Sequence, residues 1–177
     1  MRDTVITLKR AERELQAVIE RLHYDFTAFE IQHFLQHLQQ QRQRPIQVVD
    51  FPFTAEIYGL WVPAPTTDYI FVNAHLLPAH RVHTMLHEIA HLLLNHRGVD
   101  IRSVLGEPVW QALGLSSGTG HLRSVALNDS PEDEEAEVFV LLIQQRVARA
   151  RRLQELYGES TSLAAMRPYV HGLDLNS

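Results

Sequence analysis

The chain has no cysteine in its 177 residues, which excludes disulfide frameworks, thiolate metal sites and cysteine nucleophiles. Histidine, aspartate and glutamate remain as the side chains able to hold a metal. Long hydrophobic runs are missing too. The longest, Val138 to Ile143, is far too short for a bilayer span, and Met1 to Arg10 is too polar for the apolar stretch of a secretory signal. The expectation is a cytoplasmic protein with no membrane contact. Positive charge is also not in excess: 16 Lys plus Arg stand against 21 Asp plus Glu, for a formal charge of -5, so no global field attracts nucleic acid and no direct nucleic-acid binding is expected. With 45% hydrophobic and 21% charged residues the composition is that of a packed globular protein, and the length suits one domain over residues 1–177.

Hydrophobic periodicity orders the chain. Leu8, Ala11, Leu15, Val18, Ile19 and Leu22 recur at three- and four-residue steps and predict a first helix over 7–23. Thr27 to Glu30 has the form of a capping box for a second helix, whose stripe of Ile31, Phe34, Leu35 and Leu38 ends near Arg42, so the N-terminal helices occupy 7–43. Ile46 to Phe51, Glu56 to Val62 and Tyr69 to Asn73 read as strands of a small, mostly antiparallel sheet, the last two joined as a hairpin. A third helix runs from Pro78 to Asn95 with Gly98 as its stop, which completes a sheet-and-helix unit over 46–96. Residues 98–130 are rich in glycine and show no period, so a long variable loop with one short helix is expected. Ser130, Pro131, Glu132 and Asp133 give an N-cap, a first-turn proline and first-turn acids. The helix they open should run to about Tyr157, stop at Gly158, and be followed by a short one capped by Ser160, so the C-terminal helices span 131–170. The fold class is therefore α+β.

Eleven histidines are many for this length, and five residues of the third helix arrange two of them for chemistry. His87-Glu88-Ile89-Ala90-His91 has the form HExxH. Histidines four apart stand one turn apart on one helical face, so both imidazoles can reach a zinc ion at about 2.0–2.1 Å while Glu88 stands beside them as general base. By chance the five letters arise roughly 0.05 times per chain at this composition, so the letters alone are only suggestive. Their place in an apolar-periodic helix directly after a strand-rich segment is what gives them weight.

A catalytic zinc needs a third protein ligand and one open position. Glu132, Asp133, Glu134, Glu135 and Glu137 cluster at the start of the helix after Ser130. Asp133 lies three residues before Ala136 and shares the face of Ala136, Phe139 and Val140, so it points inward and is the first choice as third ligand. Glu137, one turn later, is the second choice, or else an acceptor for a ligand histidine. Acids at this place also suit a helix N-terminus for its dipole.

Taken together, Tyr69 to Asn73, His87 to His96, and Glu135-Ala136-Glu137-Val138-Phe139 with the apolar residues to Ile143 resemble the ImmA/IrrE family of metallopeptidases over roughly residues 45–150. The resemblance implies a zincin-like domain in which a small sheet packs against the HExxH helix, a second long acidic-start helix and the N-terminal helices. It implies His87 and His91 as metal ligands, Glu88 as general base, and an acidic third ligand on the later helix; by ligand preference the ion is Zn2+, with Mn2+ as the other candidate. Where the family commonly has Glu three residues before the helix alanine this chain has Asp133, a shorter carboxylate that must sit closer to the metal. The activity implied is zinc-dependent endopeptidase cleavage of a protein substrate, a DNA-binding helix-turn-helix repressor, in a phage, mobile-element or stress-response system. The other reading is a catalytically inactive zincin-fold binding module, or a toxin-antitoxin component, that sequesters a regulatory partner.

Several further residues carry two readings. His83 and His96, one turn before and five residues after the ligand pair, could line the cleft or simply be hydrogen-bonded. His121 and Arg123 could stabilise a developing oxyanion. Gly114 to Gly120 lacks the Lys-Ser/Thr of a phosphate loop and reads as a plain loop. Arg42 and Arg44, and Arg146, Arg149, Arg151 and Arg152, read as solvated faces.

Overall fold

A computed structural model describes residues 2–97, 99–100, 102–114, 119–124 and 130–170. Helix α1 (Arg2–Arg21) ends where His23 takes a left-handed backbone, φ 49°, which the helix cannot continue through. Asp25 then accepts from the Thr27 amide at 2.9 Å and the Thr27 hydroxyl at 2.7 Å, and this Asx turn holds a short 3-10 turn at Phe26–Ala28. The expected capping box is therefore corrected: Thr27 donates to Asp25, and Glu30 makes no side-chain cap for α2 (Ile31–Arg42).

Five strands follow the order β1-β3-β2-β5-β4, with β1 (Ile46–Phe51), β2 (Ile57–Pro63), β3 (Asp68–Asn73), β4 (Val99–Asp100) and β5 (Thr119–Ser124). β2 and β3 form the expected hairpin, with Leu60 opposite Phe71 and Trp61 opposite Ile70. Three of the four pairings are antiparallel, but β1 runs parallel to β3 on its far edge, so the sheet is mixed.

Side-chain alternation sends the hairpin into two cores. Trp61, Ile70 and Val72 join α1, α2, α3 (Pro78–Leu94) and α6 (Pro131–Val170) in the larger one, while Leu60, Val62 and Phe71 face the smaller one with Leu105 and Trp110. Leu105 and Trp110 come from α4 (Arg102–Leu105) and α5 (Glu107–Ala112), inside the segment expected to be a loop. That expectation is corrected: among the described residues of 98–130, two short helices cover the back of the sheet and β4 and β5 extend it. Gly98 and residues 115–118 of the glycine-rich stretch lie outside the described residues.

Arg42 and Arg44, expected to be solvated, instead close on Asp68 at the start of β3. Arg42 Nη2 is 3.1 Å and Arg44 Nε 2.9 Å from Asp68 Oδ2, and Asp68 is 1% exposed. Arg44 also donates to the Ala64 and Pro65 carbonyls, so the end of α2 is tied to the hairpin turn.

Helix α3 (Pro78–Leu94) lies across the sheet with every residue from Thr84 to Leu92 buried, as expected of a helix enclosed on more than one side. Its last turn closes at Asn95, φ 54°, rather than at Gly98. Helix α6 (Pro131–Val170) is a single helix, through Gly158 and Ser160, where two were expected. One interior glycine costs about 1 kcal/mol, too little to break a helix of this length. Ala136, Phe139, Val140 and Ile143 of α6 are fully buried and bring its first turns onto α3. No helix among the described residues is long and apolar enough to cross a membrane. Phe139→Ala removes a ring that is 0% exposed from this contact and is expected to destabilise the fold by about 3–5 kcal/mol, read from urea unfolding.

Candidate metal centre

The helical repeat puts His87 and His91 side by side, their ring centroids 4.7 Å apart and their Nε2 atoms 2.9 Å apart. Asp133, in the first turn of α6, meets both: its Oδ1 is 3.5 Å from His87 Nε2 and 3.4 Å from His91 Nε2. These three side chains are the one group among the described residues able to offer a ligand atom each to a common ion, and all are buried. A point equidistant from the three atoms lies about 1.9 Å from each, close to the ~2.0–2.1 Å bonds of zinc to imidazole and carboxylate. Two imidazole nitrogens and one carboxylate oxygen suit zinc and its neighbours in the first transition row. The shorter aspartate reaches the histidines because α6 begins directly against the middle of α3.

Contacts behind the donors fix their direction. Ser130 Oγ accepts from the Asp133 amide at 3.0 Å and donates to Asp133 Oδ2 at 2.6 Å, so the residue that caps the helix also turns Oδ1 toward the histidines. Burial alone would raise the Asp133 carboxyl, but hydrogen bonding with His87 and Ser130 and the charges of His91 and His87 outweigh it and hold the group below its ordinary value. Glu137 sits 3.0 Å from His87 Nδ1 through Oε1. An ionised carboxylate there accepts from Nδ1–H, and a neutral His87 ring so held has its lone pair at Nε2. Glu137 thus meets His87 on the ring nitrogen opposite the one that faces Asp133. His83 joins the same carboxylate, 3.2 Å from Oε2.

Glu88 is fully buried, and its setting depends on a residue that sequence reasoning passed over. A Cβ on Gly59 of β2 would fall 2.4 Å from Thr84 Cγ2 and 2.9 Å from Glu88 Oε1, so only glycine lets β2 approach α3 here. A lone glycine inside a strand pattern is the signal that could have found it. A bulge between Ile57 and Gly59 interrupts the β2–β5 pairing at the same place. β5 brings the other candidates near in register, with His121 opposite Trp61 and Arg123 opposite Gly59. His96, the remaining candidate, is hydrogen-bonded to His91, its Nδ1 2.8 Å from His91 Nδ1.

Part of this arrangement is similar to a known protein family. Residues 41–104 match the family model of peptidase M78, the IrrE N-terminal-like domain, as the sequence motifs had indicated. The matched segment runs from the end of α2 through α4 and contains β1 to β3, His87, Glu88 and His91, while Asp133 and α6 lie beyond it. No curated protein and no solved structure matches the chain.

Two outcomes are expected. Protein purified without a histidine tag should carry one zinc or manganese per chain by elemental mass spectrometry, and the double variant His87→Ala/His91→Ala should carry none. Gly59→Ala should lose about 1–3 kcal/mol of stability in thermal unfolding, part of it restored by Thr84→Ser, which removes the nearer clashing methyl.

Proposed function

We propose that this protein is a metal-dependent endopeptidase acting on a protein substrate. The observation that carries the reading is the convergence of His87 Nε2, His91 Nε2 and Asp133 Oδ1 beside the buried Glu88 of an HExxH helix. In this reading His87, His91 and Asp133 hold a zinc ion. When bound, such an ion polarises a carbonyl and lowers the pKa of water toward about 7. Glu88 takes a proton from the attacking water as its oxygen bonds to the peptide carbonyl carbon, then gives that proton to the nitrogen as the C–N bond breaks. The wall formed by Gly59 and Thr84 keeps the Glu88 carboxylate in one place for both transfers. The register of Arg123 opposite Gly59 supports a role for β5 in steadying the charge that develops on the carbonyl oxygen.

The resemblance to the ImmA/IrrE family supports a helix-turn-helix repressor as the substrate, in the same compartment as the enzyme. The test uses zinc-loaded protein, the repressor encoded beside its gene, and Glu88→Gln, which keeps the shape of the side chain and removes its basicity. Cleavage by the wild type, slowed by at least about 10²-fold in Glu88→Gln with metal content unchanged, is the expected result. Repressor binding without cleavage, equal in the two proteins, would leave a sequestering module in its place.

A further inference from the structure

His91 is backed by a different arrangement from His87, one in which a second imidazole is interposed before a carboxylate. The His91 and His96 rings meet edge to face with centroids 4.9 Å apart, and their Nδ1 atoms are 2.8 Å apart. On its other side His96 Nε2 is 3.2 Å from Glu135 Oε2 of α6. The His96 side chain is 7% exposed, whereas Glu135 is 48% exposed, so the chain of contacts runs from the buried ligand outward to the surface.

We infer that His96 and Glu135 form a relay that positions His91 for the metal, and that the left-handed turn at Asn95 folds this relay back onto the helix. The inference rests on the metal site proposed above.

The direction of the hydrogen bonds follows from the chemistry of the end group. An ionised carboxylate only accepts, so His96 Nε2 is the donor to Glu135. A neutral imidazole that donates from Nε2 has an acceptor at Nδ1, and His91 Nδ1 must then donate to it. That leaves the lone pair of His91 on Nε2, the atom facing His87 Nε2 and Asp133 Oδ1. With the His87–Glu137 contact as well, both rings can keep their protons on Nδ1 and offer Nε2 lone pairs to a cation beside Asp133 Oδ1.

Local backbone geometry makes the relay possible. Residues five apart on a continuing helix do not meet on one face. Asn95 takes φ 54° and ψ 45°, a conformation asparagine tolerates better than most residues, and the amides of both Asn95 and His96 bond to the His91 carbonyl. The chain thus turns over its own last turn and lays His96 on His91. Helix α6 holds the turn from the other side: Glu132 Oε1 accepts from the Arg97 amide at 3.2 Å, and Glu135 takes His96.

The test measures zinc affinity by chelator competition, together with the tautomer of His91 by nitrogen-15 NMR of the metal-free protein. His96→Ala and Glu135→Ala should each weaken zinc binding about 10–100-fold, and the double variant should lose no more than the worse single one, because both break one chain. His96→Gln should restore much of the affinity, since its amide accepts from His91 and donates to Glu135. Glu134→Ala, which removes the same charge from an exposed neighbour, should bind as the wild type does. The neutral His91 ring of the metal-free wild type should carry its proton on Nδ1, and His96→Ala should lose that preference while keeping a cooperative unfolding transition. Wild-type affinity in both alanine variants, additive losses, or no recovery in His96→Gln would overturn the relay while leaving the metal site standing. A wild type that binds no zinc would overturn both.

Discussion

The contact on which the rest depends is the landing of the first turns of α6 across the middle of α3. It is apolar before it is chemical. Ala136, Phe139, Val140 and Ile143 bury themselves in the larger core, and that burial holds Asp133 within 3.5 Å of two histidine nitrogens. Bringing a carboxylate and two imidazoles out of water is unfavourable in itself. The hydrophobic contact offsets this cost, and the Ser130 cap and Glu137 reduce it by satisfying the atoms that do not face the centre.

Sheet and helix meet under a comparable constraint. β2 is enclosed on both faces, with Trp61 in one core and Leu60 and Val62 in the other, so it cannot slide away from α3. The short helices α4 and α5 enclose its back face. They stabilise the strand that carries Gly59 and, through it, limit the positions open to Glu88. The Arg42–Asp68–Arg44 clamp performs a similar service at the far end of the hairpin.

Local features were legible in the sequence. The HExxH spacing is a statement about one helical face, and the hairpin follows from two apolar stretches joined by a proline-rich turn. Asp133 could be chosen because its face is set by Ala136 three residues on. Features that depend on distant partners were not legible. Helices of four and six residues are shorter than any usable period, and the burial of Leu105 and Trp110 is a property of the sheet behind them. Arg42 and Arg44 read as solvated because Asp68 is far along the chain, and the place of His96 depends on a single left-handed residue that no periodicity reports. The acidic run at the head of α6 satisfied a helix-dipole explanation so well that the contacts of Glu132 and Glu135 were hidden.

Its contacts give the acidic run a phase. Glu132 and Glu135 address the turn after α3, whereas Asp133 and Glu137, one turn apart, address the histidines. Each residue of an α-helix advances the side-chain direction by about 100°. One extra residue between Glu137 and Phe139 would leave the charge and the helix unchanged while turning these four carboxylates away from their contacts. Point substitutions can weaken this centre one bond at a time, but a change of length there would dismantle it at once.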